Sequence, residues 1–217
     1  MRLRVVVHNV HGFRAGVPRV AAVAGHFEPN LVLVNESGSR RRLPRFAREL
    51  GMEAASDPRS VLRRRVRNAV LVHPPLRVIE QWLHRFPGSD RGALVARLGH
   101  TGRRLWAISV HLGLSGAERV RHVRELADIA RGLGGPVLMG GDLNEPPDGS
   151  AAGFLGERFW DAWLLGGDAA GETYPAEDPT ARIDYLFVSE GFRVERVLVP
   201  AVGDVSDHRP VVAELLH

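Results

Sequence analysis

The stretch Val137-Leu138-Met139-Gly140-Gly141-Asp142-Leu143-Asn144-Glu145-Pro146-Pro147 carries a buried-strand pattern through two glycines into an acid and an amide two positions apart, then stops on two prolines. Proline has no N–H for a sheet ladder, so the strand ends here. The glycines are expected to leave backbone room beside a substrate. An acid and an amide at a strand end stand on rigid backbone and still reach a cleft.

The same arrangement recurs along the chain. Asn9 and His11 follow VVVH, Glu36 follows LVLV and His111 follows AISV. Asp184 lies within RIDYLFV, and Ser206-Asp207-His208 precede PVVAEL. Each has a plain structural reading when taken singly. Asn9 or Asn144 can cap a turn, Asp142 can cap a helix, Asp207 and His208 can form a loop salt bridge, and Asp184 can pair with Arg182. Capping does not require two histidines and four carboxylates in this order, so convergence on one site is the better reading.

The 217 residues, 44% hydrophobic and 25% charged, suit one domain spanning 1–217. No run approaches eighteen apolar residues, and MRLRVVVHNVHG lacks a small-residue cleavage site. A cytoplasmic monomer with no membrane span and no obligate protein partner is therefore expected. With no cysteine, disulfides, thiolate nucleophiles and Cys-ligated metals are excluded, and any metal is held by oxygen or imidazole. Net charge is +4, and every one of the 29 basic residues is Arg. Residues 40–67 hold ten Arg against three acids, a local +7 that would attract a polyanion. The plain alternative is that a chain without Lys uses Arg for every solvated cation.

Short β-rich runs alternate with helical segments. Strands are expected at 3–8, 31–34, 68–73, 92–98, 104–110, 183–188, 193–199 and 210–215, with VLMG a further one. His100-Thr101-Gly102-Arg103 reads as a hairpin turn. Helices are expected over 17–24, with Pro18 in the first turn, over 117–133, and around 151–165. This mixture gives an α/β or α+β class with largely antiparallel pairing. His122 and Glu125 stand three apart on the second helix, where a solvated pair is expected rather than a metal site. Trp82, Trp106, Trp160 and Trp163 read as core or rim packing.

Glu36, Asp207 and Asn9 would make an incomplete shell for a hard cation such as Mg²⁺. His111 and His208 could serve a phosphate or a leaving oxygen, one of them oriented by a carboxylate such as Asp184. NVHG (9–12), VNES around Glu36, RNAV (67–70), SVHL (109–112), GGDLNEPP (140–147), RIDYLFVS (182–189) and SDHRPVVAEL (206–215) together resemble the endonuclease/exonuclease/phosphatase superfamily in its order of motifs. The resemblance implies an α/β four-layer sandwich of two mainly antiparallel sheets packed face to face and flanked by helices. It also implies a phosphodiester or phosphomonoester hydrolase using Mg²⁺, with Mn²⁺ as a substitute, and the Arg run at 40–67 puts nucleic acid slightly ahead of lipids, inositol phosphates and nucleotides as substrate. A non-catalytic nucleic-acid binder on the same fold is the competing class.

By that resemblance Glu36 is the principal metal ligand, supported by Asn9 and Asp207. Asp142 orients and deprotonates the attacking water. Asn144 binds phosphoryl oxygens, and His208 with Asp184 stabilises developing charge. His111 serves the leaving group or a phosphate oxygen, and Asn68 contacts phosphate or supports the site. Asn35 stands where the family more usually has Gln, which bears on a contact behind the ligand.

Overall fold

Alternation along the strands decides which face each side chain buries, and the buried side chains fall into three layers. The structure is a computed structural model that describes residues 1–39, 41–57, 67–169 and 171–217. Its strands begin with β1 (Arg2–Asn9), β2 (Leu31–Asn35), β3 (Glu53–Ser56), β4 (Ala69–Val72), β5 (Arg77–Arg85) and β6 (Gly92–His100). They continue with β7 (Arg103–His111), β8 (Val137–Asp142), β9 (Trp160–Asp161), β10 (Asp184–Val188), β11 (Arg193–Leu198) and β12 (Val211–Leu216). The helices are α1 (Val17–His26), α2 (Arg42–Glu49), α3 (Gly116–Gly132), α4 (Ser150–Gly156) and α5 (Ala162–Gly166).

Two six-stranded sheets form, ordered β11-β12-β1-β2-β4-β3 and β5-β6-β7-β8-β10-β9. In each, one central pair is parallel, β1 with β2 and β7 with β8, and the other pairs are antiparallel. Val5, Val7, Leu31 and Leu33 meet Leu94, Ala96 and Leu138 between the sheets. Their neighbours Val6, Val32 and Val34 face outward onto α1 and α2. Ala93, Val95, Ile108 and Met139 face outward onto α3 and α4. Each such side chain removed from water contributes about 1.5–3 kcal/mol, which fixes register as well as fold, because a one-residue slip would turn a strand inside out. The four-layer sandwich is therefore the architecture of this chain.

Local chemistry sets the element ends. Ser115 caps α3, accepting from Glu118 N while the Glu118 carboxylate accepts from Ser115 N, both at 3.3 Å. The β6–β7 hairpin closes on Thr101 and Gly102, at φ 45° and 79°, the pair of positive values that a two-residue turn of this twist requires.

The region 151–165 is not one helix. It breaks into α4, β9 and α5, because Asp161 turns the chain and accepts from Trp163 N at 3.0 Å to start a new helix. Also unanticipated are α2, β3 and β5. His122 is buried rather than solvated, stacked on Phe86 at 3.9 Å, while Glu125 pairs with His84 at 2.6 Å. Of the Arg-rich run, Arg40, Arg59, Arg63, Arg64 and Arg65 lie outside the described residues. Among the described residues no helix is long and apolar enough to cross a membrane.

Candidate active site

The two parallel pairs place the site. Asn9 stands opposite Asn35 at the ends of β1 and β2, and His111 stands opposite Asp142 at the ends of β7 and β8. Parallel neighbours finish at the same edge, so four strand ends deliver these residues, with Glu36 one position beyond Asn35, to one end of the sandwich. β10 runs antiparallel to β8, which brings Asp184 opposite Asp142. β12 runs antiparallel to β1, so the lead-in carrying Asp207 and His208 arrives at the same end. His11, Glu36 and Asn144 adopt φ of 44°, 54° and 51°. A left-handed backbone costs a side-chain-bearing residue on the order of 1–2 kcal/mol, and such strain concentrates at functional sites.

Asp142 is the hub. Its Oδ2 accepts from Asn9 Nδ2 at 3.0 Å and lies 3.2 Å from His111 Nε2 and 3.8 Å from His208 Nε2. Its Oδ1 accepts from Asn144 N at 2.8 Å. Burial alone would raise its pKa, but the His111 hydrogen bond, the His208 charge and the Asn144 amide hold it below the usual carboxylate range. His208 Nδ1 lies 2.8 Å from Asp184 Oδ2. Burial would lower the His208 pKa, yet the charge and hydrogen bond of Asp184, with Asp142 and Asp207 behind, push it up to about 9. Burial pushes Asp184 upward against the pull of that imidazole. At neutral pH the site therefore sets an ionised Asp142 beside a protonated His208.

The remaining expected residues fall as follows. Asn144 Nδ2 donates to Leu112 O at 3.0 Å, which leaves its second amide hydrogen. Both Nδ2 hydrogens of Asn68 go to backbone oxygens, Gly92 O at 2.8 Å and Ser109 O at 3.0 Å, so this buried amide braces β4 against β6 and β7. Asp207 Oδ1 lies 3.2 Å from His11 Nδ1. Asp184 does not pair with Arg182, which binds Asp161 at 2.8 Å.

The two glycines make room for protein, not for substrate. A Cβ on Gly141 would lie 1.8 Å from Val110 O and 2.9 Å from Asn35 Oδ1, and one on Gly140 would meet Tyr185 O and Val7 at 2.8 Å.

Three positions escaped sequence reasoning, His8, Tyr174 and Arg91, and the part played by a fourth, Asn35, was only glimpsed. Asn35 is fully buried and joins the sheets, donating to Val110 O at 2.8 Å and accepting from Asp142 N at 3.1 Å. His8 is buried and donates from Nε2 to His208 O at 3.3 Å, and burial lowers its pKa to about 4. Tyr174 lays its ring 4.9 Å from His208. Arg91 Nη1 approaches His111 Nδ1 at 2.8 Å. Asn35 alone left a signal, its place beside Glu36 where the motif usually carries Gln.

A hard divalent cation fits these residues. Asp184 Oδ1 is buried with no hydrogen-bond partner among the described residues, an oxygen in need of a positive neighbour. Asp142, Asp184 and His208 each place a ligand atom within 4.8 Å of one another, a group able to hold a metal, and Glu36 lies outside it. The wider donor set is rich in carboxylate and amide oxygens, which suits Mg²⁺ or Mn²⁺.

A sandwich of this kind with acids, amides and imidazoles gathered at one end defines a phosphoesterase class. Residues 6–208 match the model of the Endonuclease/Exonuclease/phosphatase family, and the chain belongs to that family, whose members are phosphoesterases. The fold is similar to the endonuclease/exonuclease/phosphatase from Bacteroides vulgatus, at 17% identity and TM-score 0.86 over 100% of this chain and 99% of that one. It is similar to a mannosyl-6-phosphatase of Bacteroides thetaiotaomicron, at 18% and 0.85 over 99% and 100%. It is also similar to D. rerio TDP2 complexed with single strand DNA product, at 15% and 0.82 over 100% and 99%. No curated protein matches the sequence.

Proposed function

We propose that the protein is a divalent-metal-dependent phosphodiesterase that hydrolyses its substrate by in-line attack of water, with nucleic acid the favoured substrate. The observation that carries this reading is the ionised Asp142 set 3.8 Å from a protonated His208 at the strand ends shared by both sheets. Glu36, Asn9 and Asp207 would hold the cation. Among the described residues no hydrogen bond or ion pair reaches the Glu36 carboxylate, whereas Asp142 already carries four polar neighbours that an ion there would displace. When bound, the cation would polarise the phosphoryl group and neutralise its oxygens.

The chain's own residues supply the rest. Asp142, ionised and held by four polar neighbours, orients the attacking water and takes its proton. Asn144 offers its remaining amide hydrogen to a phosphoryl oxygen. His208, kept charged by Asp184, stabilises the negative charge that develops. His111 donates at the same lip, and Asn68 supports the strands beneath.

Nucleic acid is favoured by the cations around Glu36. Arg42 donates to Gly12 O, whose own N–H donates to Glu36 O, and Ser37 N donates to Arg67 O. Arg41, Arg42 and Arg67 are exposed, a basic rim that would track a phosphate backbone.

With Mg²⁺ the protein should hydrolyse bis-p-nitrophenyl phosphate and plasmid DNA. EDTA should stop turnover, Mg²⁺ or Mn²⁺ should restore it, and Asp142→Ala should lower kcat by on the order of 10³-fold or more. Turnover that survives both EDTA and the substitution would sink the mechanism. A panel of DNA, RNA, sugar phosphates, inositol phosphates and sphingomyelin assigns the substrate. Salt-dependent DNA binding without turnover under any divalent ion would make the protein a binder instead.

A further inference from the structure

Two imidazoles flank Asp142, and their surroundings differ. His208 Nδ1 faces a carboxylate, Asp184 Oδ2 at 2.8 Å. His111 Nδ1 faces a guanidinium, Arg91 Nη1 at 2.8 Å. A guanidinium can only donate, so this ring nitrogen must present its lone pair. The other nitrogen, Nε2, lies 3.2 Å from the Asp142 carboxylate, which can only accept, so Nε2 must carry the hydrogen. We infer that Arg91 is a positioning residue that fixes His111 as the neutral Nε2–H tautomer and so aims one hydrogen at the carboxylate of Asp142.

The placement of Arg91 is built into the fold. Gly92 pairs with His111 in the β6–β7 register, which sets Arg91 beside the imidazole. The turn ahead of it is tied at both polar groups, with Phe86 N donating to Arg91 O at 3.1 Å and Arg91 N donating to Ser89 Oγ at 3.1 Å. Asn68 anchors Gly92 O from the opposite sheet. With Arg91 removed, the Asp142 carboxylate still draws a hydrogen from Nε2, but nothing blocks a second hydrogen on Nδ1 or holds the ring in direction. The donor at Asp142 is then fixed in neither charge nor aim.

The inference also divides labour between the two histidines, given the hydrolytic role proposed for the site. His111 is a fixed hydrogen-bond donor that does not shuttle protons, because protonating Nδ1 would break the Arg91 contact. Any proton given to the leaving oxygen by an imidazole comes from His208.

The test joins spectroscopy to kinetics. Long-range ¹H–¹⁵N correlation spectra of wild type, Arg91→Met and Arg91→Lys report which nitrogen of His111 is protonated. Wild type should show a protonated Nε2 and a bare Nδ1. Arg91→Met should bring a hydrogen onto Nδ1 as well, an imidazolium pattern, and Arg91→Lys, which can still donate, should keep the wild-type pattern. With bis-p-nitrophenyl phosphate and Mg²⁺, Arg91→Met should lower kcat roughly 10- to 100-fold while KM changes little, and Arg91→Lys should recover most of it. A bare Nδ1 that persists in Arg91→Met, or a loss carried by KM, overturns the inference. If wild type turns over no phosphodiester, the proposed function fails, and the tautomer spectra still decide the role of Arg91.

Discussion

Gly141 shows how closely the site is fitted to its support. At φ 148° it lies where Val110 O and the Asn35 amide would collide with any side chain. Gly141→Ala should destabilise the protein by about 3 kcal/mol or more, because backbone and not a flexible side chain must give way. Urea denaturation measures this, and a loss below 1 kcal/mol would show that β8 can shift. The chemical residues themselves were legible in sequence. Asp142, Asp184, His111 and His208 are scarce types at strand lips, and the structure gathers them around one carboxylate. Their braces were not legible. Asn35 was marked only as a contact behind Glu36 and not as the amide that spans both sheets, and nothing in RGALV linked Arg91 to a histidine nineteen positions past its neighbour Gly92.

At the scale of elements, two helices hold the loop that follows Asp142. Arg119 on α3 forms an ion pair with Glu145, three residues past Asp142, and both side chains are largely buried. Glu145 Oε1 also accepts from Ala151 N at 2.8 Å in the first turn of α4, and its carbonyl accepts from the Tyr185 hydroxyl at 2.8 Å. Arg119→Met should therefore cost about 3 kcal/mol by leaving a buried carboxylate unpaired. It should also depress kcat, as Asn144 loses its footing. A variant with full stability and full kcat would show that the loop holds itself. Elements with strong signals were readable from pattern alone, as with the alternating core strands and the capped α3. Those without were hidden. β5 is a mostly exposed edge strand with no apolar run, and α2, RLPRFARE, buries only Leu43, Phe46 and Ala47 under a coat of charge.

For the molecule as a whole, buried histidines with opposite shifts set the dependence of stability on pH, His8 and His122 lowered by burial and His208 raised by its carboxylates. The pKa of His8 is lowered to about 4, so the unfolded chain binds a proton below about 6.5 that the folded chain refuses. Stability therefore falls as pH drops from about 6.5 toward 4, by roughly 3 kcal/mol. The pKa of His208 is raised to about 9, so its contribution is fully present below about 6.5 and is lost as pH rises through 9. The Asp142 contribution is present above about 3.9 and lost toward 2, a separate and more acid window. Urea midpoints should peak near pH 6.5 and decline on both sides, and His8→Asn should make the limb between 6.5 and 4 shallower while leaving the alkaline limb unchanged. Equal midpoints at pH 4.5 and 6.5 in wild type would contradict the burial of a neutral His8.

The tie between Ser206 Oγ and Asn9 O, at 2.6 Å across 197 positions, joins β1 to the strand that enters its sheet last. During synthesis β1 emerges first and waits for β12, and the hydrogen bonds between these strands close the longest loop in the chain. Such contacts form slowly, because the entropy of closing a long loop must be overcome before any bond is gained. The candidate site is built across that same seam, with Asn9 on one side and His208 on the other. It is therefore complete only once the first and the last strands of this sandwich have paired.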